Sequence, residues 1–423
     1  MDMNASTLTL SGGMVSGASA RARLSANTPA GALRSGILSD QEESMARNVV
    51  GWNEGNGDTL DLSKLGGAEG NLNGVSAYEI FATVRDTEVN AAAGVAVDAH
   101  NRLQLEAING ALSVPTGAGA AALALLEVGA TALVATNRMR TDTRAQVSDS
   151  ERKKKFAAAG VVSISAVDAV TVDASVGTLA RAQTTASGVL VLNDVQHFAM
   201  AQFNPSEAST GDLKIEALDQ SQLSALTAGK LYAGESRVFK NSWSALADEG
   251  VVTTNWLSGS VKAWLGNDTG DVGVQLKATG NLSVQASGEA TLKAGNQLDY
   301  QNAKGAGVSY NRIGTSGMAG VLKGEMDDLL YANNQTADPF MVSALVRNGS
   351  VHVDGDLRVR ADLKISATSV VGLSSSELDS ILAQNASYAR ADARIVMPAS
   401  GTVNHFVGGL LQVAGGLFGA LAQ

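Results

Sequence analysis

Histidine, serine and carboxylate side chains that could together do hydrolytic or metal chemistry are spread thinly along this 423-residue chain. The four histidines are His100, His197, His352 and His405, and none belongs to a HExxH or HxH pattern that would direct two imidazoles at one metal ion. No Gly-x-Ser-x-Gly elbow lies in a strand-turn-helix setting. A triad assembled from distant parts of the chain stays open, but the spacing predicts no catalytic residue and no metal ligand.

The segment 55–62, GNGDTLDL, comes nearest in composition to a cation site. Glycine and aspartate alternate there as they do in the calcium-binding nonapeptide repeats of secreted toxins, where carboxylates and carbonyls converge on the ion. A single copy is more typical of an ordinary Gly/Asp turn. We therefore expect no cofactor, and calcium at this segment stays open as the alternative.

Three tryptophans, Trp243, Trp256 and Trp264, lie close together in the sequence. Strands stacked about 4.8 Å apart could gather them into one ligand patch of the kind that binds sugar rings. Alternatively, they fill core edges that alanine and valine leave open. An enzyme acting on polysaccharides would also need paired carboxylates, whereas the carboxylates here are scattered singly at the solvent positions of strands. We predict that the chain is not an enzyme, with a β-helical polysaccharide lyase or depolymerase as the alternative.

The composition excludes several classes of protein. There is no cysteine, which excludes disulfides, thiolate catalysis and cysteine-based metal sites. The net charge of −10 argues against nucleic acid as a partner, because that affinity rests on clustered lysine and arginine. Aromatic residues make up only 4% of the chain, so the core must be built from alanine, valine, leucine and isoleucine.

A repeated strand motif organises the chain, and residues 349–367, GSVHVDGDLRVRADLKISA, show it most clearly. Leu357, Val359, Leu363 and Ile365 alternate with polar residues, which predicts β-strands that point these four side chains inward and Arg358, Arg360 and Lys364 outward. The pattern apolar-x-apolar-x-Ala recurs at residues 103–107, 213–217, 274–278, 282–286, 357–361 and 363–367.

A strand motif that returns along several hundred residues indicates a solenoid, in which each unit buries its apolar face on its neighbours. We therefore predict an all-β fold, a right-handed parallel β-helix with short helical insertions and caps. With coils of about 20 to 25 residues, the repeats would give about 13 to 16 coils and a rod about 60 to 80 Å long.

A second block begins at a glycine and carries a polar residue, in three copies asparagine, about five positions later. Its copies start at Gly74, Gly188, Gly250 and Gly307. Stacked asparagine amides can hydrogen-bond from one coil to the next and satisfy turn carbonyls. The asparagines of the last three copies are therefore predicted to form a structural ladder, and they are Asn193, Asn255 and Asn311.

The distribution of residue types divides the chain into three parts. Residues 1–73 form a Gly/Ser/Ala-rich leader or cap, with a helix from Ser39, and residues 74–402 form the repeat domain, with a loop or helix insertion at 324–340. Residues 374–394 have helical spacing.

The apolar segment 403–423 is predicted to be an end cap or a subunit contact, and membrane association through 405–423 is the alternative. The apolar run 117–135 is predicted to form doubly buried strands in preference to a membrane helix, because Glu127 interrupts it.

Two pairs of segments carry a resemblance to a known family. The first pair is GVLVLNDVQHFAMAQF at 188–203, followed by GDLKIEALDQSQLSALTAG at 211–229. The second pair is GAGVSYNRIG at 305–314, followed by residues 344–367. They resemble the repeat region of leukotoxin-like filamentous adhesins and, more distantly, the filamentous haemagglutinins of bacterial surfaces, over residues 74–367. The resemblance implies an extracellular or cell-surface protein for adhesion or for matrix or filament assembly. Its implied partners are host or matrix surface molecules, or further copies of the chain in a homo-oligomer, with no membrane contact expected outside 405–423.

Overall fold

The structure is a computed structural model. The residues it describes are 2–5, 8–25, 43–50, 78–113, 128–180, 184–232, 251–266, 274–301, 306–314, 340–347, 349–372, 380–387, 389–396, 403–405 and 411–422.

Every regular element in the described residues is a β-strand, and these residues contain no helix. The twenty-three strands are β1 (Asp2–Ala5), β2 (Leu8–Ser25), β3 (Glu43–Val50), β4 (Tyr78–Arg85), β5 (Glu88–Ala91), β6 (Val95–Ser113), β7 (Val128–Ser148), β8 (Lys155–Ala158), β9 (Val162–Ala180), β10 (Thr184–Asn204), β11 (Glu207–Thr210), β12 (Leu213–Tyr232), β13 (Val251–Leu265), β14 (Gln275–Ala278), β15 (Leu282–Gln301), β16 (Ala306–Ile313), β17 (Phe340–Arg347), β18 (Ser350–Val353), β19 (Leu357–Val371), β20 (Ser380–Ser387), β21 (Ala389–Val396), β22 (Val403–His405) and β23 (Leu411–Ala422).

The strands pair in parallel and form a 7-stranded and a 16-stranded sheet. The chain passes through three rows of strands in a constant order, and we call each passage a level. Row 1 is the 7-stranded sheet, β1-β5-β8-β11-β14-β18-β22. Row 2 contains β2, β6, β9, β12, β15, β19 and β23, and row 3 contains β3 with β4, β7, β10, β13, β16 with β17, and β20 with β21.

A level takes many more residues than the strand motif predicts. Lys155 lies beside Glu207 of the next level at a sequence separation of 52, and Asn281 contacts Asp356 of the next level at a separation of 75. The expected coil length is therefore wrong, and so is the expected long rod. The seven levels formed by the described residues, at about 4.8 Å each, give a stack only about 30 Å high.

The motif misleads because a single level contains it in more than one place. The copy at 213–217 lies at the start of row 2, but the copy at 103–107 lies further along row 2, where Leu103 pairs with Val170. The copy at 274–278 includes the row 1 strand β14. The spacing between copies therefore reports distances within a level as well as between levels.

The core is lined by one face of each strand, and alternation along the chain predicts that face correctly. Leu357, Val359, Leu363 and Ile365 are buried, as expected, while Arg358, Arg360 and Lys364 are exposed. In the interior, Phe156 of row 1 packs edge-on against Phe203 of row 3, with ring centroids 5.0 Å apart. The first half of β10 differs, because residues 189–195 are buried on both faces.

The predicted helices are wrong wherever the structure describes them. Residues 43–50 of the segment beginning at Ser39 form β3, and residues 380–387 and 389–396 form β20 and β21. In each case the neighbouring level offers an open strand edge, and pairing with that edge outweighs a local helical spacing. Residues 324–339 of the predicted insertion lie outside the described residues.

The described parts of both terminal segments belong to the same sheets as residues 74–402. β1, β2 and β3 pair with β5, β6 and β7, and β22 and β23 pair with β18 and β19. Residues 403–405 and 411–422 thus contribute the seventh level, lying on the sixth. The insertion between β16 and β17 does not disturb the register, because both strands pair with β13. Within the run 117–135, residues 128–135 belong to β7, and 117–127 lie outside the described residues.

The described residues include no helix that is long and apolar enough to cross a membrane.

Candidate functional site

The predicted asparagines form one continuous side-chain ladder through row 3. Each Nδ2 donates to the Oδ1 of the asparagine on the next level, and the ladder extends beyond the predicted members to Asn137 and Asn385. The distances are 2.9 Å from Asn137 to Asn193, and 2.8 Å for each step from Asn193 to Asn255, to Asn311 and to Asn385.

The same amides join row 3 to row 2. The Nδ2 atoms of Asn137, Asn193, Asn255 and Asn311 also donate to backbone carbonyls of row 2 strands, and for Asn255 this acceptor is Lys293 at 2.7 Å. The side chains of the central members are fully buried. A buried amide whose donors and acceptor are all occupied contributes stability and specifies the register of the levels. The ladder is therefore a structural device.

The two described tryptophans do not form a shared patch. Trp256 and Trp264 lie eight residues apart on β13, on either side of Gly259, or roughly 26 Å along an extended strand. The Trp256 side chain is buried under the Arg312 guanidinium, 5.5 Å from the ring centroid, and the Lys262 ammonium lies 5.0 Å from the Trp264 ring. Trp243 lies outside the described residues.

The segment 55–62 also lies outside the described residues. Elsewhere, within the part of the chain that the structure describes, no three histidine or carboxylate side chains come together in a group that could hold a metal ion.

A buried polar cluster, which the sequence spacing did not predict, lies where the row 2 strands face the middle of row 3. It contains His197 of β10 with Asp219 and Ser221 of β12. The Nδ1 of His197 is 3.1 Å from Oδ1 of Asp219, and its Nε2 is 3.3 Å from the Ser221 hydroxyl. The Ser221 hydroxyl also donates to Oδ1 of Asp219 at 3.0 Å.

Asp168 extends this cluster on the level below. Its carboxylate accepts hydrogen bonds from the Asn101 amide at 2.9 Å and from the Thr141 hydroxyl at 2.8 Å. Asn101, Asp168 and Asp219 occupy the same position on consecutive levels. On the next level the position is Gly288, where an added Cβ would lie 2.8 Å from Val342, so apolar side chains close the polar column.

The cluster has the three groups of a hydrolytic triad but not the arrangement that catalysis needs. A catalytic serine must face a substrate, whereas His197 and Ser221 are each only 2% exposed. The Phe340 ring also stacks on the imidazole, with ring centroids 5.7 Å apart. The Ser221 hydroxyl donates to Asp219, whereas a catalytic serine directs its proton at the imidazole. The cluster is therefore a sealed part of the core.

Burial sets the charge state of the cluster. It lowers the pKa of His197 to about 3 and raises the pKa of Asp168 to about 6. Burial, followed by the nearby Asp168 carboxylate, raises the pKa of Asp219 well above its usual value. The His197 imidazole is therefore neutral at pH 7, so its contact with Asp219 is a hydrogen bond and not an ion pair between two charged groups.

We expect Asp168→Asn to stabilise the protein at pH 7 and to have no such effect in acid. Because the pKa of Asp168 is raised from 3.8 to about 6, the folded protein loses stability as pH rises through this interval and regains none above it. A neutral amide avoids that loss of about 3 kcal/mol. Its oxygen still accepts from Asn101, and its NH2 can donate to the Thr141 and Thr143 hydroxyls, which then act as acceptors. Urea unfolding at pH 3.5, 5 and 7 measures the difference.

The matched control is Glu88→Gln, the same kind of change at an exposed residue of β5. Its free energy of unfolding should stay within about 0.5 kcal/mol of the wild-type value at each pH. A loss of stability in Asp168→Asn at pH 7 would contradict the prediction, because it would mean that the charged carboxylate is the stabilising form.

Outside the core, a groove of about 270 Å³ opens on the outer face of row 2. It spans three levels, β6, β9 and β12, and its polar lining comprises Arg102, Gln104, Thr171, Gln220 and Gln222. Ala169 lies in its centre, paired with Arg102 on one side and with Gln220 on the other. The groove is open to solvent, so a ligand has direct access to it.

Comparison of the chain with protein-family models, with curated proteins and with solved structures finds no match. The chain has a sealed polar cluster within the stack and an open polar groove outside it.

Proposed function

We propose that the chain folds as a right-handed parallel β-helix and serves as a non-catalytic, secreted or cell-surface bacterial protein for adhesion or for matrix or filament assembly. Support for the fold comes from the constant order of the three rows and from the parallel pairing of every level with the next. Parallel strands joined by crossovers are right-handed in nearly all proteins, which favours that hand here.

The observation that carries the functional proposal is the contrast between interior and surface. The Ser221, His197 and Asp219 side chains are sealed from solvent, so they hold the strands together without meeting a substrate. The exterior of row 2, by contrast, presents rows of solvated polar side chains at a regular spacing. A rigid stack with a regular polar surface suits repeated weak contacts with a surface better than it suits catalysis.

The alternative, a polysaccharide lyase or depolymerase, has less support. Hydrolysis of a glycosidic bond usually requires two carboxyl groups within about 10 Å of each other across the bond. The groove lining contains no carboxylate, and Glu289 is the side chain that continues the Arg102, Ala169 and Gln220 column on the next level. Glu106 and Asp173 pair with each other two residues further along β6 and β9, outside the lining, so no acid and base pair faces into the groove.

Adhesion is tested with beads coated with the purified full chain. We expect the beads to attach to collagen, fibronectin or epithelial-cell surfaces, or to one another, and light scattering to detect the self-association. Beads coated with albumin are the control. The same preparation should show no turnover on polysaccharide, ester and peptide panels. Turnover on any panel, or a failure to bind both surfaces and itself, would contradict the proposal.

A further inference from the structure

The groove belongs to a longer trough, which we call the β9 trough. β9 turns small side chains outward, whereas the strands on either side, β6 and β12, turn mostly longer ones outward at the paired positions. The outward residues of β9 are half-buried, and the middle of each neighbouring strand is exposed. The floor residues are Ser163, Ser165, Val167, Ala169, Thr171, Asp173 and Ser175.

The dimensions of the trough suit one extended polymer chain. Its two walls stand on strands that are two spacings apart, or about 9.6 Å between backbones. In the middle, Thr171 on the floor lies between Gln104 and Gln222 on the walls. The groove volume of about 270 Å³ is slightly below the roughly 300–1,000 Å³ of typical small-ligand pockets, so it holds a short stretch of a chain.

The lining has the hydrogen-bonding character of a sugar-binding surface. Gln104, Gln220 and Gln222 each present an amide that donates and accepts, and Thr171 adds a hydroxyl. Within the described part of the chain, no side-chain hydrogen bond occupies these three amides. Hydroxyl groups of a sugar also donate and accept, so neighbouring hydroxyls can pair with such amides and with the fork of the Arg102 guanidinium.

The surroundings argue against two other kinds of ligand. A polyanion would meet two cations, Arg102 and Lys214, and the Lys214 ammonium is already paired with Glu216 at 2.7 Å. The carboxylates of Asp98, Glu106 and Asp173 also lie along the trough, on a chain of net charge −10. An extended peptide usually binds by adding a strand to a free sheet edge, but β9 is paired on both sides. An uncharged, polyhydroxylated chain meets neither obstacle.

We infer that the β9 trough binds a short stretch of a neutral, linear polysaccharide. The inference rests on the proposed adhesive function and names the class of surface molecule that it would recognise. No aromatic side chain lines the groove to stack on a sugar ring, so each site binds weakly. Firm attachment then requires several copies of the protein acting together on one polymer or surface.

The test is isothermal titration calorimetry of the full chain with cellohexaose, maltohexaose and laminarihexaose, and with hexagalacturonate as the anionic probe. At least one neutral hexasaccharide should bind. Ala169→Gln fills the floor between Arg102 and Gln220 and should weaken that binding by at least about tenfold, because several hydrogen bonds are lost at once. The double variant Gln220→Ala with Gln222→Ala removes two amides without adding bulk and should weaken binding similarly.

The matched control is Ser283→Gln, which adds the same side chain to the outer face of β15, away from the trough. Its affinity should stay within about twofold of the wild-type value, since small surface changes away from a site have little effect. The inference is overturned if no neutral hexasaccharide binds, if hexagalacturonate binds more tightly, or if the trough variants and Ser283→Gln lose affinity equally.

The bead assay separates this inference from the proposed function. Wild-type beads that attach to surfaces while the titrations show no glycan binding would refute the trough and leave adhesion standing. Wild-type beads that neither attach nor self-associate would refute the adhesive function itself.

Discussion

We expect Val359→Asp to abolish the cooperative unfolding transition of this protein. Val359 is fully buried on β19, where it pairs with Val284 of β15. An ionised carboxylate placed there without a partner costs several kcal/mol, comparable with the whole stability of roughly 5–15 kcal/mol of a folded domain. Far-UV circular dichroism followed through a urea titration should show a sloping, non-cooperative change in place of a sigmoidal one.

The control is Arg358→Ser, one residue away on the same strand. Arg358 points outward, and its ion pair with Asp356, at 3.1 Å, lies at the solvent-exposed surface. Such pairs contribute at most about 1 kcal/mol, so the transition should remain cooperative with nearly the same midpoint. Equal effects from the two substitutions would refute the register of β19, because a shift by one residue exchanges its inward and outward faces.

The second large effect is expected from Asn255→Ala in the middle of the asparagine ladder. The substitution removes an acceptor from Asn193 and donors from Asn311 and from the Lys293 carbonyl. Each buried polar group left without a partner costs about 1–3 kcal/mol, so the total loss should be roughly 3–5 kcal/mol. The free energy of unfolding from urea titration measures it.

Two further variants identify the source of that loss. Asn90→Ala makes the same chemical change on the exposed face of β5 and should cost less than about 0.5 kcal/mol. Asn255→Leu restores the volume but not the hydrogen bonds, so it should be nearly as destabilising as Asn255→Ala. Full recovery in Asn255→Leu would assign the loss to the cavity and would contradict a role for the amide ladder.

Local sequence patterns determined which face of the repeat strands is buried. The alternation in residues 351–365 predicts β-structure and the buried side chains correctly, because the two faces of a strand follow directly from its period of two. The spacing of the recurring asparagines also contained the number of residues in one level. The sequence separation is 62 from Asn193 to Asn255 and 56 from Asn255 to Asn311, and these intervals are the lengths of successive levels.

Only the tertiary structure decided the length of a level, the replacement of predicted helices by β20 and β21, and the two polar sites. His197 contacts Ser221 and Asp219 because a row 3 strand of one level faces a row 2 strand of the next level. The sequence of neither strand indicates which distant strand it will face. The β9 trough likewise exists because Ala169 pairs with Arg102 of the preceding level and with Gln220 of the following one. Pairing between levels depends on the register of whole strands, and a period of two within each strand carries no information about which strand lies beside it.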